Sequence, residues 1–172
     1  MRTDDRLPLR LRLGYALGFA ACTGLIGFAY YLEYFEGQIP CPLCILQRGA
    51  FIALGAVFLA AALHGPARLG AALYGALAML VAAAGAAIAA RQVWLQHLPP
   101  HRVPECGPGL EYLLRKFPLS QALGKILAGT GECAEVGWTF LGLSIAGWSL
   151  VWFVLLGALA IGLAVVALRS RH

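Results

Sequence analysis

Four runs of the sequence, 13–32, 44–63, 69–97 and 145–168, carry no charge except Arg48 and Arg91, each near one end of its run. At about 1.5 Å rise per residue, some 20 helical residues cross the roughly 30 Å hydrocarbon layer of a bilayer. Within that layer each backbone group must be satisfied internally, which leaves an open chain little choice but helices. The runs therefore predict an all-α integral membrane protein, a four-transmembrane-helix up-down bundle. An apolar fraction of 60% and a charged fraction of 12% over 172 residues fit no soluble domain. The remaining residues divide into a tail (1–12), a first loop (33–43), a tight turn at His64-Gly65-Pro66 (64–68), a second loop (98–144) and a closing tail (169–172), all in a single membrane domain.

The formal charge of +5 follows the membrane rather than a nucleic-acid face. Arg2, Arg6, Arg10, Arg12, Arg68, Arg169 and Arg171 fall in the tails and the 64–68 turn, while Glu33, Glu36, Glu105, Glu111, Glu132 and Glu135 fall in the other two loops. Lysine and arginine in short loops mark the cytoplasmic side, so both termini are expected there and both cysteine-bearing loops outside. Tyr30, Tyr31, Tyr34, Trp94, Trp138, Trp148 and Trp152 gather toward the outward ends, as an interfacial belt does. The first run is too long for a signal peptide. Phe19-Ala20-Ala21-Cys22 faintly resembles a lipoprotein processing site, but the other spans and the charge bias make sense only if the first span stays. Gly14, Gly18 and Cys22, four residues apart, instead form a small-residue face for close helix contact.

Chemistry concentrates in Pro40-Cys41-Pro42-Leu43-Cys44-Ile45-Leu46-Gln47-Arg48. The two prolines hold off regular helix until about Leu43 or Cys44, which puts Cys44 in the first turn. There the unpaired N–H groups and the helix dipole favour a thiolate, the reactive form of cysteine. Arg48 falls on the same helix face, four residues on. An arginine near membrane depth is costly and so a functional candidate, against the plainer reading of a snorkelling anchor. Arg91 has the same two readings, with the anchor favoured. Cys106 and Cys133 complete an outward set of four; three connectivities are open to them, of which Cys41/Cys44 with Cys106/Cys133 closes the shortest loops. Proline and glycine neighbours put Cys106 and Cys133 in loops expected to be mobile. In the second loop, Leu110, Leu113, Leu114 and Phe117 mark one amphipathic helical face and Leu119, Leu123, Ile126 and Leu127 another, expected to lie apolar side down on the membrane. His97 and His101 read as interfacial polar residues. Ile45 stands where haem attachment needs histidine, and Cys106 and Cys133 lack the spacing of a zinc site, so no metal is expected.

The four spans, Cys41-Pro42-Leu43-Cys44 with Arg48, and Cys106 and Cys133 in one outward loop together resemble the DsbB family. Arg91-Gln92-Val93-Trp94-Leu95-Gln96, Cys133-Ala134-Glu135, Trp138, Phe140-Leu141-Gly142-Leu143 and Trp148 support the resemblance, which covers nearly the whole chain. It implies a disulfide-generating protein-dithiol:quinone oxidoreductase of the bacterial inner membrane, with the active cysteines periplasmic. A DsbA-like thioredoxin-fold oxidase would attack a Cys106–Cys133 disulfide, most readily at Cys106. Cys133 would then attack Cys41, and Cys44 would pass the electrons to a quinone, ubiquinone ahead of menaquinone, held by Arg48 and with less weight Arg91. Gln47 departs from an acidic residue in the best-known member, so no charge beside Arg48 is assumed. The reading from another class is a non-catalytic four-helix scaffold with two structural disulfides.

Overall fold

Each charge-poor run becomes one unbroken helix in the computed structural model, which describes residues 6–66, 68–104, 112 and 115–169. In chain order these are α1 (Arg6–Phe35), α2 (Pro42–His64), α3 (Arg68–Gln96), a 3₁₀ turn at Pro100–Arg102, α4 (Leu119–Ala128), α5 (Gly131–Ala134), a hairpin of β1 (Thr139–Phe140) and β2 (Leu143–Ser144), and α6 (Ile145–Arg169). Helices α1, α2, α3 and α6 are long and apolar enough to span a membrane. Helix α1 continues past the expected end at Leu32, so Glu33 lies on a helix rather than in the first loop. Helix α2 begins at Pro42, ahead of the expected Leu43 or Cys44. Pro42 takes the first helical position, where its missing N–H deprives no carbonyl and its fixed φ is already helical. Cys106 and the face carrying Leu110, Leu113 and Leu114 lie outside the described residues.

Packing follows residue size more than polarity, because lipid is as apolar as leucine and offers no hydrophobic gain for helix association. On α2 the buried positions include Leu43, Gln47, Phe51, Leu54, Phe58 and Ala61, at intervals of four and three, with Pro42 and Gly55 beside them. That spacing keeps one seam turned to its neighbours. In the main core cluster the buried hydrophobic residues of α3 are all alanine, Ala71, Ala78, Ala82 and Ala89, and they share that cluster with Phe153, Leu156, Ala160 and Ala167 of α6. Phe153 stacks on Phe51 with centroids 3.9 Å apart and planes 8° from parallel, joining α6 to α2 across the bundle. A side chain at Gly85 of α3 would overlap the Phe153 ring. The small face of α1 divides its contacts: Gly14 faces Leu163 of α6, Gly18 faces the Phe58 ring, and Cys22 lies against Gly55 of α2.

At the end away from the cysteines, α2 stops at Gly65, whose left-handed backbone (φ 58°) returns its N–H to Ala61 O at 3.0 Å. Arg12 of α1 donates to Ala62 O at 3.0 Å and Leu63 O at 3.2 Å, satisfying carbonyls that the helix end leaves free. At the cysteine end, α4 is docked rather than merely resting apolar side down on lipid. Its Ile126 is buried against Leu46 of α2 and Phe117. The hairpin turns through Leu141 (φ 51°) and Gly142 (φ 78°), and Ser144 Oγ accepts the Gly147 N–H to start α6.

Candidate active site

Cys41 is the N-cap of α2: its backbone is extended (φ −71°, ψ 165°) and its Sγ accepts the Cys44 N–H at 3.4 Å. The cap brings the two sulfurs to 3.0 Å. Cys133 reaches the same place from the second loop. Thr130 opens α5, accepting the Cys133 N–H on its carbonyl at 2.9 Å, with its hydroxyl 3.7 Å from Cys133 Sγ. Cys133 is 0% exposed and packs with Cys41, Leu43 and Leu95. An open, mobile loop position was expected for it; the structure instead seals it against the start of α2. Gly129 makes that approach fit, since its backbone (φ 81°, ψ 153°) is one that only glycine adopts readily, and a side chain there would overlap Leu95. Cys22, Cys41, Cys44 and Cys133 are all free thiols.

The thiols are not equivalent. The Cys41 S–H hydrogen bond holds the Cys133 pKa down to about 6, against the opposing effect of burial, with backbone N–H bonds from Thr130 and Leu43 assisting. Cys41 moves the other way, because its proton is held between Cys133 and Cys44 and its burial disfavours charge. The donors at the helix start therefore serve Cys133 and Cys41 as well as the expected Cys44.

Beside Cys44 opens a cavity of about 870 Å³ between α1, α2, α6 and the hairpin, lined by Cys44, Arg48, Gln92, Trp138, Trp148 and Trp152 among others. Its aromatic wall is continuous: Phe28 meets Trp138 edge-on at 5.6 Å, Trp138 stacks on Phe140 at 5.9 Å, and Trp148 donates to Phe140 O at 3.0 Å. Gln38 of the first loop accepts the Trp138 N–H at 3.2 Å, latching the two loops together.

A family model described as "Disulfide bond formation protein DsbB" matches residues 11–163. The chain belongs to the DsbB family. It is 58% identical over 140 residues to Disulfide bond formation protein B of Hahella chejuensis, covering 81% of this chain and 85% of that one. The Methylococcus capsulatus protein of the same name is 52% identical over 150 residues (87% and 92%), and that of Chromobacterium violaceum 48% over 165 (96% and 98%). Membership of the DsbB family implies an oxidoreductase role in disulfide bond formation.

Within this DsbB-family site the two arginines take different places. Arg48 lines the cavity, yet its bonds run to Glu33 and, at 3.2 Å, to Ala29 O, with the Tyr30 ring 5.1 Å away. A charge does stand beside Arg48, supplied by α1 and not by position 47. Arg91 is not among the residues lining the cavity. It donates to Ala128 O at 2.9 Å and Leu127 O at 3.4 Å and lies over Trp94, so it caps α4 and anchors it to α3. Sequence reasoning passed over Gln92, which bonds both sulfurs of the Cys41/Cys44 pair, and Glu33. A buried amide inside an apolar span was the available signal for Gln92, and the i, i+15 relation of Glu33 to Arg48 leaves none.

Proposed function

We propose that this chain is a protein-dithiol:quinone oxidoreductase. It reoxidises a periplasmic thioredoxin-fold oxidase of the DsbA type, through Cys106/Cys133 and Cys41/Cys44, and delivers the electron pair to a membrane quinone, ubiquinone ahead of menaquinone. The observation that carries this reading is the position of Cys44: one side meets Cys41, itself packed on Cys133, and the other side opens into an aromatic cavity between the long apolar helices. The chain would sit in the bacterial inner membrane with both termini cytoplasmic and the cysteine loops periplasmic.

The reaction starts at Cys106, where the partner's thiolate opens the Cys106–Cys133 disulfide and releases Cys133 as a thiolate. Cys133 is already seated on Cys41 and leaves the Cys106–Cys133 bond as a thiolate, with backbone N–H bonds from Thr130 and Leu43 on its sulfur, so it attacks Cys41 Sγ; the Cys41–Cys44 bond breaks and the electron pair leaves on Cys44. The partner's second thiol then attacks its own sulfur in the mixed disulfide, and the electrons of one dithiol rest in the chain. Cys106 then closes on Cys133, which breaks the Cys41–Cys133 bond and frees Cys41; a quinone, when bound, would supply the two-electron, two-proton acceptor with which the Cys41/Cys44 dithiol returns to its disulfide. The cavity suits such a group: Phe28, Trp138, Trp148 and Trp152 provide flat apolar walls, and Arg48 retains N–H donors beyond the two given to Glu33 and Ala29. Because a DsbA-type oxidase has a potential of about −120 mV, its reoxidation requires a stronger oxidant, which a respiratory quinone supplies.

The test is loss of quinone absorbance with purified protein, a reduced DsbA-type partner and ubiquinone or menaquinone. Cys44→Ser abolishes turnover while the chain stays folded, and Arg48→His slows quinone use more than partner exchange. Undiminished turnover without Cys44 sinks the mechanism, and no turnover of the unmodified chain with either quinone favours the scaffold.

A further inference from the structure

A hydrogen-bonded pair of uncharged amides reaches the Cys41/Cys44 sulfurs through one of its members. Gln47 on α2 and Gln92 on α3 are 3% and 4% exposed. A buried carboxamide is costly unless its oxygen and both N–H groups find partners. Gln47 Nε2 donates to Gln92 Oε1 at 2.7 Å, and Gln92 Nε2 lies 3.2 Å from Cys44 Sγ and 3.4 Å from Cys41 Sγ. Gln92 Oε1, held by Gln47, also lies 3.6 Å from Cys44 Sγ, where it can accept from the neutral S–H; once Cys44 is ionised, only the Gln92 NH₂ group can bond to it.

We propose that Gln92, oriented by Gln47, is a positioning residue whose NH₂ group stabilises Cys44 as the leaving thiolate when Cys133 bonds to Cys41. The inference deepens the function proposed above and rests on Cys41, Cys44 and Cys133 being an exchanging set. In that step the Cys133 thiolate attacks Cys41 Sγ, the Cys41–Cys133 bond forms, the Cys41–Cys44 bond breaks, and the electron pair departs on Cys44. One negative charge moves from sulfur to sulfur, so no oxidant, reductant or proton is consumed. Exchange favours the isomer whose free thiolate is better stabilised. A hydrogen bond to an ionised acceptor is roughly twice as strong as one to a neutral acceptor, so Gln92 contributes most once Cys44 carries the charge. A plain clamp between α2 and α3 would stabilise the bundle without biasing one isomer over the other.

The experiment uses the full-length chain with Cys106→Ala, oxidised to one disulfide in detergent. The chain equilibrates between Cys41–Cys44 and Cys41–Cys133, is quenched in acid, and is mapped by mass spectrometry of linked peptides. Neither partner nor quinone is present, so the outcome is independent of whether quinone reduction succeeds. Gln92→Leu lowers the proportion of Cys41–Cys133 by roughly 10-fold or more, the size of one hydrogen bond to a charged group. Gln47→Met has no N–H to give, which frees the Gln92 oxygen to turn toward the sulfurs and moves the ratio in the same direction. This second variant keeps the buried volume and carries the test if Gln92→Leu does not fold. An unchanged ratio in Gln92→Leu with a lowered melting temperature reduces the pair to a clamp and overturns the proposal. An unchanged ratio in Gln47→Met overturns the orienting role.

Discussion

At the scale of single residues, the cysteines differ because their hydrogen bonds differ. Cys41 keeps its proton and donates it in a hydrogen bond that favours the Cys133 thiolate; burial adds to the shift of Cys41 and opposes that of Cys133. In the fully reduced chain the ultraviolet absorbance of the Cys133 thiolate persists at neutral pH and disappears as the pH falls through about 6. The sign follows from a depressed pKa, the charged form being favoured above the folded value and lost below it. Cys41→Ala removes the main donor, so the same transition moves up toward the ordinary thiol value near 8.5. A wild-type transition already in that ordinary range would contradict the account. The pair Cys41/Cys44 was legible from two cysteines and two prolines at a polar–apolar boundary. The reactive character of Cys133 was not, because Thr130 and Leu43, which supply its N–H bonds, come together only when the second loop packs on α2. Glu33 was hidden for a similar reason: its partner Arg48 sits on a different helix.

At the scale of elements, hydropathy marked four apolar runs, each of which lies on a helix long and apolar enough to span a membrane, but could not say which face of each is buried. In lipid, leucine suits either side, and the decisive difference is size: Ala71, Ala78, Ala82 and Ala89 let α6 approach α3, and Gly85 admits Phe153. The second loop was read as surface helix with flexible ends. In fact α4 is held by Ile126 on one side and by Arg91 at its last carbonyls, and its exit through Gly129 delivers α5 and Cys133 to the start of α2. Gly129→Ala introduces both a disfavoured φ and an overlap with Leu95, costing about 1–3 kcal/mol. Thermal melting in detergent shows the loss, and partner-driven exchange slows with it because Cys133 is displaced from Cys41. Full stability in this variant would mean that α4 leaves along another path.

At the scale of the whole molecule, the bundle places its dithiol chemistry at one end and ties the other off with arginine. Arg12 closes the end of α2, while the first loop, α5 and the hairpin converge on the cavity through the Gln38–Trp138 bond. From the charge bias we propose that the cysteine end lies outside the cytoplasm. In intact spheroplasts, a membrane-impermeant maleimide therefore labels Gly37→Cys and leaves Pro66→Cys unlabelled until the membrane is opened; the reverse pattern would invert the topology. The most direct measurement of the central claim is the disulfide map of the full chain after one equivalent of reduced partner, with no quinone present. The account predicts a peptide linked through Cys41 and Cys133, with Cys44 free. Cys41–Cys44 remaining intact while Cys106 and Cys133 are both reduced would contradict it, because electrons would then have entered the second loop without passing to the first.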